Sequence, residues 1–161
     1  MLQFIHMINN RNRGISLVEI LVVMAIAAML LGIGTYWYVS ARSHALVNST
    51  TDSIVSALQK AKSNTLTGKG GLTYGVQFGT STYTTFSGST YNASDASNIS
   101  FPIDQRVTMA ASTTAVNSAI IFTRLTGVPN ATATISIYET ANPNVKKTVN
   151  LGALGDISVV Q

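Results

Sequence analysis

The chain has 161 residues, enough for one domain with a real core plus one anchoring segment. Charged residues make up only 10% of it while Ser, Thr and Asn abound after Asn48, which argues against an ordinary cytosolic enzyme surface and suits an exported domain. The absence of cysteine excludes disulfides and thiolate metal sites, and the net charge of +4, less Arg11 and Arg13 near the N-terminus, leaves only +2 for the rest.

The first element is apolar. From Ile15 to Val39 only Ser16, Glu19 and Thr35 are strongly polar. As a helix this stretch reaches roughly 37 Å at about 1.5 Å per residue, enough for a hydrocarbon core of about 30 Å. The plain alternative is a secretory signal with Arg11 and Arg13 as its charged start. Against it, the run exceeds the usual apolar region of about 7–15 residues. Gly32-Ile33-Gly34 also leads straight into Tyr36-Trp37-Tyr38, with no small-x-small cleavage site before a polar sequence. Those aromatics have the character of an interfacial belt, and the arginines at the other end place the N-terminus in the cytoplasm. The chain from about Ser40 onward is then expected outside.

Glu19 interrupts this run. An ionised acid in a spanning helix costs about 2.5–3.5 kcal/mol at the centre and less near an end. The bland reading is a carboxylate that snorkels to the interface one turn away. The functional reading needs a cut after Gly14, which would leave a free ammonium on Ile15. Glu19 would follow four residues later, on the same helix face. Helices packed side by side could then pair one subunit's Glu19 with a neighbour's Ile15 amine, in low dielectric where the attraction is strong.

Arg13-Gly14, then Ile15-Ser16-Leu17-Val18-Glu19, then about twenty apolar residues resembles the class III signal of type IV prepilins and type II secretion pseudopilins. Ile15 and Ser16 are mild departures from the usual Phe and Thr. The resemblance implies that an aspartic prepilin peptidase cuts between Gly14 and Ile15 and methylates the new amine of Ile15. It also implies a role for Glu19 in subunit assembly, with Arg11 and Arg13 as the basic leader residues.

Beyond the aromatics, Val47, Ile54, Leu58 and Ala61 fall on one stripe at spacings of seven, four and three, with Ser, Thr and Lys on the other face. No proline interrupts Ile15 to Leu66, so one long helix is expected, ended by the glycines of Thr67-Gly68-Lys69-Gly70-Gly71. From Leu72 the period changes to two: Leu72, Tyr74, Val76 and Phe78 alternate with small or polar residues, then a turn leads to Tyr83–Phe86. Gly88 to Asn98 reads as a long surface loop. Further strands are expected at Val107–Met109, Ala119–Phe122, Ala133–Tyr138, Lys146–Asn150 and Ile157–Val160, separated by Gly, Pro and Asn turns.

The expected fold is α+β: a long N-terminal helix, membrane-spanning in its first half, packed by its second half on a C-terminal antiparallel β-sheet domain. The segments are a cytoplasmic leader (1–14), a transmembrane or filament-core helix (15–39), an amphipathic continuation (40–66) and a β-rich globular part (67–161). The order of elements and the stretch Ile120–Tyr138 also resemble the globular domain of the H-type minor pseudopilins and related minor pilins of the type IV pilus, though less specifically.

Enzyme chemistry finds little support. His44 has no second histidine near it, and Asp52, Asp95, Asp104, Glu139 and Asp156 are scattered, with no metal-ligand spacing. No catalytic residue, metal or cofactor is expected. DNA binding competes more sharply, because some minor pilins of this group bind DNA through a Gly-Arg-x-Arg pattern near the C-terminus. At that place this chain reads Gly155-Asp156-Ile157-Ser158, and an aspartate repels phosphate. Arg106, Arg124, Lys146 and Lys147 remain as a basic patch for DNA, but four scattered cations more often mean a solvated surface. The reading is a structural subunit, of the minor kind, of a type IV pilus or type II secretion pseudopilus. Its expected partners are other pilins or pseudopilins, prepilin peptidase, the assembly platform and, before assembly, membrane lipid. The alternatives are a DNA-uptake minor pilin and a membrane-anchored extracytoplasmic binding module.

Overall fold

The computed structural model describes residues 14–161, apart from the side chains at 33–37, 39 and 116. The expected leader, with Arg11 and Arg13, lies outside the described residues, as do the side chains of Tyr36 and Trp37. The chain divides into two compact units, Met1–Ser40 and Ala41–Gln161. Helix α1, Leu17–Leu66, contributes to both.

In the first unit every large apolar side chain among the described residues from Ile15 to Leu31 is exposed, with Leu17 at 79% and Leu31 at 73%. Among the described residues no helix is long and apolar enough to cross a membrane.

In the second unit α1 buries one stripe: Ser43, Val47, Thr51, Ile54, Leu58, Ala61 and Thr65. Their spacing alternates between three and four, the repeat that keeps side chains on one helix face. Four of the seven were legible as apolar. Thr51 and Thr65 are tolerated because each hydroxyl donates to the carbonyl one turn earlier, Val47 at 2.7 Å and Ala61 at 2.9 Å. Ser43 donates to the Glu139 carboxylate at 2.5 Å.

Eight strands follow: β1 Tyr74–Phe78, β2 Thr82–Ser87, β3 Ile99–Pro102, β4 Val107–Thr113, β5 Ala119–Ile121, β6 Ala133–Glu139, β7 Lys146–Leu151 and β8 Ile157–Val160. The single sheet of the sequence reading is replaced by two four-stranded antiparallel sheets, ordered β3-β2-β1-β5 and β4-β6-β7-β8. One core joins them to the helix: Val47, Ile54 and Leu58 pack with Val76 and Ile120 of the first sheet and Ile135 and Val149 of the second. Strand β3 escaped the sequence because all four of its residues are exposed, so it has no alternating signature. It ends in Pro102, which fits an edge strand. Strand β4 runs four residues past its expected end, since Ala110 to Thr113 pair with β6 through backbone alone and carry small side chains. The helix stops at Leu66, and Gly68 and Gly70 take positive φ of 63° and 61° in the short 3-10 turn that follows.

Candidate functional site

Gly14, Ile15 and Ser16 precede the helix and are not helical. A Cβ added at Gly14 would meet nothing within 4 Å among the described residues, so none of them demands glycine there. Any such demand must come from whatever handles the segment. Ile15 is 70% exposed. Ser16 starts the helix: its carbonyl accepts the Ile20 N–H at 3.2 Å, and its Oγ accepts the Val18 N–H at 3.3 Å. It is therefore an N-cap, satisfying one of the unpaired amides of the first turn.

Glu19 is exposed and sits in that first turn, three residues after the cap. The sequence Ser16-Leu17-Val18-Glu19 thus has the form of a capping box. A carboxylate in this place also faces the positive end of the helix dipole. This favourable setting is written in the Ser-x-x-Glu spacing, at the edge of an apolar run. It offers Glu19 a role within its own helix, beside the pairing with a neighbour's amine.

Arg106, Arg124, Lys146 and Lys147, weighed as a patch for DNA against a solvated surface, are spread over the second unit. Arg106 is held by Asp104 in a bidentate pair, at 2.9 Å from Nε and 2.7 Å from Nη2. Those hydrogen bonds hold the Asp104 carboxyl well below the usual carboxylate range. Lys146 and Lys147 are successive residues of β7 and so point to opposite faces of the sheet. Tyr138↔Lys146 and Val107↔Glu139 place Arg106 and Lys146 at one end of that sheet, where Glu139 meets Ser43 of α1. Arg124 lies at the other end, with its guanidinium 4.0 Å from where a Cβ of Gly68 would stand. From residue 43 to residue 68 the helix direction covers roughly 37 Å.

An open groove of about 710 Å³ lies along the second unit. One wall is the flank of α1 with Ser56 and Lys60, and the other is the face of β2 and β3 with Tyr83, Ile99 and Phe101. Tyr83 and Phe101 are register partners whose rings stack at 5.1 Å. Burial pushes the Tyr83 hydroxyl above its usual range, against a hydrogen bond from Ser53 that lowers it. The charged lining is Asp52, Lys60 and Lys69, with no histidine. His44 is exposed, and among the described residues no group of His, Asp and Glu could hold a metal ion.

The far end of α1 carries a second feature. The turn between β5 and β6 is closed by Thr123 N–H to Val128 carbonyl at 2.8 Å and Gly127 N–H to Thr123 carbonyl at 2.9 Å. Leu125 at its tip has φ of 70° and is 89% exposed. Left-handed backbone costs a residue with a Cβ about 1–2 kcal/mol. The turn between β7 and β8 stands beside it, with Leu154 79% exposed. Lys62 of α1 donates to the Gly155 carbonyl at 2.8 Å. A Cβ on Gly155 would lie 2.7 Å from the Gly127 carbonyl, so only glycine lets the two turns approach this closely. Neither leucine could be singled out from sequence, because exposure and positive φ leave no periodic trace.

Residues 9–35 match the family model described as the prokaryotic N-terminal methylation motif. No curated protein and no solved structure matches the chain significantly. The matched residues contain Arg13-Gly14, the capped helix start at Ser16 and Glu19. The match supports a type IV prepilin-like protein, a chain of the kind that prepilin peptidase processes and that interacts with other pilins.

Proposed function

We propose that this chain is a structural subunit, of the minor kind, of a type IV pilus or type II secretion pseudopilus. Its leader ends at Gly14, and processing leaves an N-methylated Ile15. The apolar segment from Ile15 to Val39 anchors the subunit in the cytoplasmic membrane, N-terminus inside and head outside, before assembly. The same segment then enters the filament, where neighbouring helices replace lipid.

One observation carries this reading. Behind the processing motif, the part of α1 from Leu17 to Leu31 presents large apolar side chains on all sides, and among the described residues every one of them is exposed. A helix apolar all round is stable only inside a larger assembly or a bilayer. The motif supplies the chemistry that moves it from one to the other.

Mass spectrometry of the protein from its native membrane tests the processing step. The expected product begins at Ile15 and carries one methyl group. An intact leader, or a cut after Gly34, would overturn the proposal. A bulky residue in place of Gly14 should leave the chain uncut, although none of the described residues resists that change.

A further inference from the structure

We propose that Leu125 and Leu154 form a knob that seats on the apolar N-terminal helix of an adjacent filament subunit, a helix of the kind this chain carries from Leu17 to Leu31. The inference rests on the filament reading above and adds to it a contact made by the head.

Leu125 is unfavourable twice within its own fold. Its backbone is left-handed, and its side chain is 89% exposed. Asn or Gly would suit that φ better. Strain at an exposed position points to a function outside the chain. Leu154 and Leu125 are the two most exposed large apolar residues of the second unit among the described residues.

The two turns are also held in place. The Lys62 bond to the Gly155 carbonyl ties one turn to α1, and the close passage of Gly155 past Gly127 ties the turns to each other. The knob is therefore preorganised, which lowers the ordering cost of a contact.

The partner must be apolar and must offer hollows. The segment Leu17–Leu31 sets Ala25, Ala27 and Ala28 among larger exposed Leu, Ile, Val and Met side chains, so its surface alternates ridges and grooves into which a side chain can pack. Its single charge among the described residues is Glu19, at one end of the segment, so the rest of it offers no charge to Arg124, Lys62 or Asp156 beside the two turns. A knob on one subunit and a helix on the next are different surfaces. Such a heterologous contact propagates into an open filament where its rotation does not close a ring. A lipid surface would take the same leucines less well, because stable interfacial binding needs a second strong signal such as a polybasic patch, and here Lys62 is engaged by the Gly155 carbonyl while Asp156 offsets Arg124.

Photo-crosslinking decides between these partners. With p-benzoylphenylalanine at position 125 of the full chain, filaments sheared from irradiated cells should yield adducts with residues 15–31 of a second copy, or with the equivalent apolar segment of another subunit. Adducts with lipid, or with the head of a neighbour, would overturn the inference. Leu125→Asn gives a second readout, because Asn suits the left-handed backbone. The variant head should unfold at higher denaturant than wild type while its incorporation into filaments falls several-fold. Leu154→Gln should reduce incorporation in the same direction. Undiminished incorporation of both variants would sink the proposal. Absence of the wild-type chain from filaments would instead count against the functional reading on which it rests.

Discussion

The Thr65 hydroxyl donates to the Ala61 carbonyl at 2.9 Å and accepts the Tyr74 backbone N–H at 2.9 Å, joining the last turn of α1 to the first strand. Thr65 is 1% exposed, so water cannot replace it. Thr65→Val keeps the shape and strands the Tyr74 N–H without a partner. Leaving a buried donor unsatisfied costs about 1–3 kcal/mol. The urea midpoint of the fragment 40–161 should fall accordingly, and Thr65→Ser should recover most of the loss. Equal midpoints for Val and Thr would mean that the bond contributes nothing net.

The Asp104–Arg106 pair predicts a pH dependence with a definite sign. Hydrogen bonds from Arg106 depress the Asp104 carboxyl in the fold. Its contribution to stability is therefore fully present above the unfolded carboxylate value of about 3.9. It is lost as pH falls below that value toward the folded one. The pair is exposed, so the effect on stability should be small. In an NMR titration Asp104 should protonate well below the ordinary carboxylate value of about 3.9. Arg106→Ala should bring its midpoint back to the ordinary range, and an unshifted midpoint in wild type would show that the pair does not persist in solution.

Much of this fold was legible because burial and periodicity coincide. Val47, Ile54, Leu58 and Ala61 announced the buried stripe, β6 alternates clearly, and the β-branched runs of β6, β7 and β8 between turn residues bound all three within a residue. What escaped did so for physical reasons. Thr51 and Thr65 are polar by composition but hide their hydroxyls in the helix's own backbone. Strand β3 is exposed on both faces and has no pattern to read. The division of eight strands into two sheets depends on long-range pairing, which local alternation does not encode. At the N-terminus the Gly14–Ile15 junction and Glu19 stood out as chemistry, while the Ser16-x-x-Glu19 spacing carried the cap that the Val18 bond shows. The dispersal of Arg106, Arg124 and Lys146 is likewise a property of topology, since a list of cations has no geometry.

The buried stripe yields a prediction about fragments. A chain beginning at Ser40 retains Val47, Ile54, Leu58 and Ala61, all 4% exposed or less, for the two sheets to cover. It should be soluble and monomeric, with a cooperative unfolding transition. A chain beginning at Leu72 loses these side chains and exposes Val76, Ile120, Ile135 and Val149, which are fully buried here. Large apolar surface of this kind promotes aggregation. Circular dichroism and gel filtration of the two fragments would check this. Equal cooperativity would show that the helix is not part of the core.

Glu19 stands where three explanations meet. It is exposed, it follows the Ser16 cap by three residues, and after a cut at Gly14 it would lie one turn from a new ammonium on Ile15. If it only snorkels to a membrane edge, Glu19→Leu removes a cost and leaves assembly unchanged. If it mainly serves its own helix start, Glu19→Gln should behave almost as wild type, because glutamine can complete a capping box. If its charge pairs with a neighbour's amine, both variants leave a cation without its partner in the filament. Removing one member of a buried ion pair costs about 3–5 kcal/mol, and less where water reaches it. The proposed function favours the third outcome. Cleavage and methylation should survive in both variants, while incorporation into sheared filaments falls sharply in both, and Glu19→Asp should be only partly impaired. Quantifying the subunit in filaments from cells carrying each variant separates the three. Full incorporation of Glu19→Leu would reduce the glutamate to a bystander. Full incorporation of Glu19→Gln alone would make it a cap and not a counterion.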